Sequence, residues 1–153
     1  MLRLSKMADY GIVLMTYIGH TRGGEVCTAR DLADQSNLPL PTVSKVLKSL
    51  ARSELLVAHR GKNGGYTLAR TPHDITVAEM ITAVDGPIAL TECSTVEEVD
   101  CDIEPSCPAR TNWSIISATV KRALENLTLA DMRPPLPPGQ HAAKTGGALE
   151  ILR

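Results

Sequence analysis

The sequence predicts a mainly α fold with one small β-hairpin, a winged helix–turn–helix followed by a long C-terminal helix. Three observations predict it. Two short helical segments meet at a proline-containing break, two β-type runs follow them around a glycine-rich tip, and a heptad-like apolar seam lies further on. A length of 153 residues suits one domain with an added oligomerisation element. With 43% hydrophobic and 22% charged residues the chain should fold, and with 3% aromatics and no Phe its core must be aliphatic. The same scarcity of rings argues against stacking on single-stranded nucleic acid. No apolar run approaches the roughly 18 residues of a membrane span, and the opening MLRLSKMADYG lacks a signal-peptide pattern, so a cytoplasmic protein with no membrane partner is expected.

The elements follow in order. Met7, Tyr10, Leu14, Tyr17 and Ile18 recur at three and four spacing, which predicts a helix from Ser5, its N-cap, to His20. Ile12, Val13 and Met15 widen its apolar face, and Thr21-Arg22-Gly23-Gly24 ends it. Thr28 caps a short helix from Ala29 to Ser36, with Leu32 and Ala33 inward. Pro39 blocks its continuation, and Pro41 suits the first turn of a third helix running to Ser53 on the inner stripe Val43, Val46, Leu47 and Leu50. Leu55–His59 and Tyr66–Leu68 read as strands around Arg60-Gly61-Lys62-Asn63-Gly64-Gly65. Thr76 caps a helix through Val84, broken at Asp85-Gly86-Pro87. Residues 91–108 show no period. Trp113, Ile116, Val120, Ala123 and Leu127 then form the seam, suited to a partner helix. Thr128 is expected to cap a last turn, Leu129 to Met132, before a Pro-rich tail.

The net charge of −1 conceals a division. Residues 1–70 carry ten Lys/Arg and five Asp/Glu, whereas residues 71–153 carry six and twelve. Only the first half is suited to a polyanion. Within it, residues 39–70 hold six basic residues against one acid, Glu54. Lys45, Lys48 and Arg52 lie on the third helix, and Arg60 and Lys62 lie on the hairpin. Tandem helices with a basic wing predict binding to double-stranded DNA, with the third helix in the major groove and Arg60 against the minor groove. Lys45, Lys48 and Lys62 are expected to meet phosphates, while Thr42, Ser44 and Arg60 select sequence. The glycine-rich tip lacks the spacing of a phosphate-cradling P-loop, and no acid/base or nucleophile constellation accompanies it, so no enzyme is expected.

Cys93, Cys101 and Cys107 fall within fifteen residues, separated by seven and five others, with Cys27 far away. In a reducing compartment such clustering favours metal or redox chemistry over structural disulfides. The loop lacks the Cys-x-x-Cys knuckle usual in structural zinc sites, and three thiolates on a long loop can wrap an iron–sulfur cluster. Zinc, a regulatory disulfide and unliganded thiols stay open on spacing alone. Glu92, Glu97, Glu98, Asp100, Asp102 and Glu104 would oppose added electrons and lower a cluster's potential. Cys27, before an N-cap and without a neighbouring cysteine, reads as a packed thiol, and the scattered His20, His59, His73 and His141 read as surface residues.

The opening Leu4-Ser5-Lys6 with Asp9-Tyr10, the wing Arg60–Leu68, and Ile75-Thr76-Val77-Ala78-Glu79 with Ile81 and Ala83-Val84 resemble one family over residues 1–132. It is the family of dimeric winged-helix regulators that hold iron–sulfur clusters and control the Isc and Suf assembly operons, and the opening is most similar to its Suf-system branch. The resemblance implies a homodimer paired through its long helices and a cluster, 2Fe–2S or 4Fe–4S, on Cys93, Cys101 and Cys107. Isc-type members place a His three residues after the last cysteine. Here that residue is Arg110, which is no normal ligand. Nitric-oxide-sensing relatives use a carboxylate from the first helix of the other subunit, and Asp9 matches it, ahead of Glu104 or an exchangeable ligand.

The expected organisation is therefore a DNA-binding domain at 1–86, a cysteine-bearing cluster loop at 87–108, a dimerisation helix at 109–132 and a flexible tail at 133–153. The expected function is a transcription regulator, a repressor of iron–sulfur assembly genes, on a near-palindromic operator. Three other readings stay beside it: a nitric-oxide- or redox-sensing repressor of other genes, an iron–sulfur electron carrier or cluster-transfer protein, and a regulator that senses by thiol oxidation without a cluster.

Overall fold

A computed structural model describes residues 4–21, 25–91, 94 and 106–132. Five α-helices and one hairpin follow in chain order. They are α1 (Lys6–His20), α2 (Ala29–Ser36), α3 (Leu40–Arg52), β1 (Leu56–His59), β2 (Gly65–Leu68), α4 (Val77–Asp85) and α5 (Arg110–Glu125), with a short 3₁₀ turn at Pro72–Asp74. The helix starts are set by the residues expected to set them. Ser5 accepts from the Met7 and Ala8 N–H groups, Thr28 from Asp31, and Thr76 forms a reciprocal capping box with Glu79. Two helix ends turn in the left-handed region, at Asn37 (φ 55°) after α2 and at Glu54 (φ 58°) after α3. At the second, Glu54 N–H donates to Ala51 O and Leu55 N–H to Leu50 O, a Schellman closure that turns the chain into β1.

The inner faces of α1, α3 and α4 meet in an aliphatic core, as the lack of Phe demands. Leu14, Met15 and Ile18 from α1 pack with Val43, Val46, Leu47 and Leu50 from α3, with Met80 from α4 and with Leu32 from α2. Close approach of α1 to α4 depends on Gly11, where a Cβ would stand 3.1 Å from Val84 Cγ2. That is a physical reason for glycine after Asp9-Tyr10. The hairpin is antiparallel, with Leu56 opposite Leu68 and His59 opposite Gly65. Cys27 adds a one-residue third strand, exchanging N–H···O bonds of 2.9 and 2.8 Å with Tyr66. The wing is thereby tied to the chain ahead of α2.

Thr128 caps the single turn expected over Leu129–Met132, its hydroxyl accepting from the Asp131 N–H at 3.4 Å and its carbonyl from the Met132 N–H at 3.3 Å. What was not expected is that the chain after α5 folds back on residues 75–77, with Val77 N–H donating to Leu127 O and Leu129 N–H to Ile75 O, both at 2.8 Å. The Asp131 carboxylate takes the Thr128 N–H and hydroxyl, fixing a turn there, and Leu129 becomes fully buried. These bonds hold Asp131 below the usual carboxylate range, the Thr128 hydroxyl contributing most. The expected turn at 22–24, most of the cysteine loop and the 133–153 tail lie outside the described residues. Among the described residues no helix is long and apolar enough to cross a membrane.

Candidate nucleic-acid interface and cysteine region

Helical geometry sorts the side chains of α3. With Val43, Val46, Leu47 and Leu50 buried, the opposite line of the helix is Pro41, Lys45, Lys48 and Arg52, all exposed. Three cations therefore stand in one row, directly away from the core. Thr42 and Ser44 are half-buried on the two flanks of that row, close to its N-terminal end. The third helix thus presents a basic ridge whose polar readers lie beside its centre line.

The wing supplies the remaining charge. Between His59 and Gly65 the tip turns through Gly61, at φ 104°, and closes with Gly64 N–H donating to Gly61 O at 3.0 Å. Only glycine adopts that φ without strain. Arg60 and Lys62 are exposed on this tip, and a 2.9 Å contact between His59 Nε2 and Thr67 Oγ1 braces the strands beneath it. Among the described residues, none of Lys45, Lys48, Arg52, Arg60 and Lys62 is ion-paired, so their charge is available to a ligand. Arg70, by contrast, is spent on Glu79 at 2.7 Å. Partial burial pushes Glu79 up, but the Thr76 N–H, the Arg70 guanidinium and the Thr76 hydroxyl outweigh it and hold the carboxyl below its ordinary value.

Among the described residues, helix α5 is attached on one side only. Ser117 is buried and accepts from Leu90 N–H, and Leu124 packs on the core. About a quarter turn away runs the helical part of the seam read from the sequence, with Trp113 39% and Ile116 43% exposed, while Leu127, 44% exposed, lies past the end of α5. Ile115, 58% exposed and absent from that seam, adds to the uncovered apolar area.

The candidate ligands are only partly visible. Cys93, Cys101 and Glu104 lie outside the described residues, as does the Arg110 side chain. Cys107 is a free, half-buried thiol three residues before α5. Asp9 is exposed in the first turn of α1. Among the described residues no three His, Cys, Asp or Glu side chains gather as a metal site. The donor set fits an iron–sulfur cluster by its chemistry, three soft thiolates with a carboxylate available. Cys27 is the packed thiol expected from sequence. Burial pushes it up, nearby Glu25 and Asp31 add to this, and a Thr21 hydrogen bond only partly opposes them, so it stays protonated.

Sequence reasoning missed one contact that bears on this region. Ser5 Oγ donates to Asp85 Oδ1 at 2.6 Å, joining the start of α1 to the end of α4. Eighty residues of separation leave no local signal for it.

Comparison with known proteins agrees with this geometry. The family model described as "Rrf2: Iron-dependent Transcriptional regulator" matches residues 4–134. The transcriptional regulator IscR of Serratia proteamaculans is 29% identical over 132 residues, covering 86% of this chain and 79% of that protein. NsrR of Oceanobacillus iheyensis is 26% identical over 131 residues, covering 86% and 89%. The solved structure of CymR, described as the global cysteine regulator of B. subtilis, superposes with a TM-score of 0.67 at 30% identity, over 86% of this chain and 96% of that one. These relatives are regulators of transcription and not enzymes. The basic ridge, the glycine-tipped wing and the match over nearly all the described chain place this protein in the Rrf2 family of winged-helix, DNA-binding transcription regulators.

Proposed function

We propose that the protein is a homodimeric repressor of iron–sulfur cluster assembly genes. In this reading it senses cluster supply through a 2Fe–2S or 4Fe–4S cluster on Cys93, Cys101 and Cys107, with Asp9 of the partner subunit as fourth ligand. The observation that carries the reading is the unpaired ridge Lys45–Lys48–Arg52 beside the Arg60–Lys62 wing, in a chain matched by a family of iron-dependent regulators. Two α3 helices enter successive major grooves of a near-palindromic operator. Lys45, Lys48 and Lys62 neutralise phosphates, and Thr42, Ser44 and Arg60 select bases and groove shape. The exposed seam of α5 pairs the subunits, since an apolar row of this kind is best removed from water by a second copy of itself.

A bound cluster would supply sensitivity to iron, oxidant or nitric oxide. The residues of this chain supply the linkage. Ser5 ties the end of α1 that carries Asp9 to the end of α4, from which residues 87–108 depart. Both helices pack against α3. Ordering the cysteine loop therefore biases how the two ridges are presented, a population shift with differential DNA affinity. An oxygen ligand among thiolates would be the labile corner of the site, as a sensor requires.

Anaerobic purification with absorption spectra and iron and sulfide counts tests the cofactor. Coloured wild type, altered by Asp9→Ala and bleached by Ser at all three cysteines, is expected. Colourless protein without iron or sulfide overturns the cluster reading. A second reading would then stand, a thiol-responsive regulator without a cluster, favoured by the likeness to CymR and by the free thiol of Cys107.

A further inference from the structure

We propose that the apolar tip of α3, Leu40 with Pro41, reads thymine through its 5-methyl group and so fixes one operator position per subunit. The inference deepens the DNA-binding reading and rests on it. Leu40 is the first residue of α3 and is 39% exposed, yet it belongs neither to the core nor to the residues packed against it. Pro39 and Pro41 on either side are exposed as well. The helix that carries the three-cation ridge is therefore entered through three exposed apolar residues, Pro39 at the N-cap and Leu40 and Pro41 in the first turn. The uncovered part of Leu40 is available for contact at the end of the helix that carries the ridge.

Its position defines the contact. Pro41 heads the row that continues through Lys45, Lys48 and Arg52, and Leu40 precedes it on the flank that carries Ser44, so both stand at the end of α3 that a recognition helix presents to base edges. Pro39 occupies the N-cap and no side chain caps the helix, so no polar group projects ahead of the aliphatic carbons. In the major groove only thymine presents an apolar group, its C5-methyl. Adenine and cytosine present amino groups that an aliphatic tip would strip of water without replacing the hydrogen bond. Removing one methyl from water corresponds to about fourfold in affinity per subunit, hence roughly fifteenfold for a symmetric pair.

The test uses the full-length chain. Duplexes are first selected from a random pool, and each thymine is then replaced in turn by deoxyuridine, which deletes only the methyl. Wild type should lose about fourfold at one position of each half-site, and Leu40→Ala or Pro41→Ala, shown folded by circular dichroism, should be indifferent to the change there. Selection with Leu40→Ala should no longer enrich thymine at that position. Uracil tolerated by wild type at every position, or both variants keeping the full methyl dependence, overturns the proposal while leaving DNA binding intact. Failure to select any duplex overturns the DNA-binding reading, and this one with it.

Discussion

Replacing Lys48 by Ala tests the ridge most simply. Lys48 stands in the middle of the outward row of α3, exposed and without an ion pair among the described residues, so the change removes a charge without disturbing the core. With Lys45, Lys48 and Lys62 each neutralising one phosphate in both subunits, six condensed counterions are released. Log affinity should then fall with log salt at a slope of about −5, a loss of roughly a thousandfold between 50 and 200 mM. Lys48→Ala removes two of those contacts and should flatten the slope by nearly 2, weakening all duplexes about equally. Fluorescence anisotropy of a labelled operator across that salt range reads both quantities. An unchanged slope, or a change of sequence preference at constant slope, would refute the assignment of this row to the phosphate backbone.

Three further outcomes follow from the fold. Leu129→Ala should cost about 2–5 kcal/mol in urea denaturation, because the side chain is fully buried where residues 127–129 close on 75–77; an unchanged midpoint would contradict that packing. Glu54→Gly should raise stability by about 1 kcal/mol, since the left-handed turn after α3 burdens any residue with a Cβ; an unchanged denaturation midpoint would contradict the closure described there. Glu79 is held below its ordinary value of 4.5 in the folded state, so its contribution is fully present above pH 4.5 and lost as pH falls through the lower folded value. Glu79→Gln should therefore flatten the acid limb of the stability profile below pH 4.5, and an unaltered limb would count against the Thr76–Arg70 network.

Local chemistry was legible in the sequence and distant pairing was not. Ser5, Thr28 and Thr76 cap the helices expected of them because a capping hydroxyl acts within three residues. The stripe Val43, Val46, Leu47 and Leu50 determined which way α3 faces, and from that the exposed row of Lys45, Lys48 and Arg52 follows. Nothing local announced that Leu127–Leu129 would bind residues 75–77, that Cys27 would bridge to Tyr66, or that Ser5 would reach Asp85. Each joins segments dozens of residues apart, and a single bridge has no period to detect. Thr128, by contrast, was legible for the same local reason as the other caps, since its hydroxyl and the Asp131 carboxylate satisfy each other's backbone N–H three residues apart. At the interface, the excess of charge was plain from composition. The exposure of Leu40 was not, since between Pro39 and Pro41 it falls in the connection before the periodic stripe and no period assigns it a side.

The central claim is that occupancy at Cys93, Cys101 and Cys107 alters the grip of α3 on DNA. One anaerobic titration addresses it, with a single operator duplex bound by reconstituted protein and by the same preparation stripped with chelator, at fixed salt. The account predicts affinities that differ by about tenfold or more, corresponding to a coupling near 1.4 kcal/mol. Ser substitution at the three cysteines should abolish the difference. Equal affinity of the two forms, with cluster content verified by iron and sulfide, would contradict it.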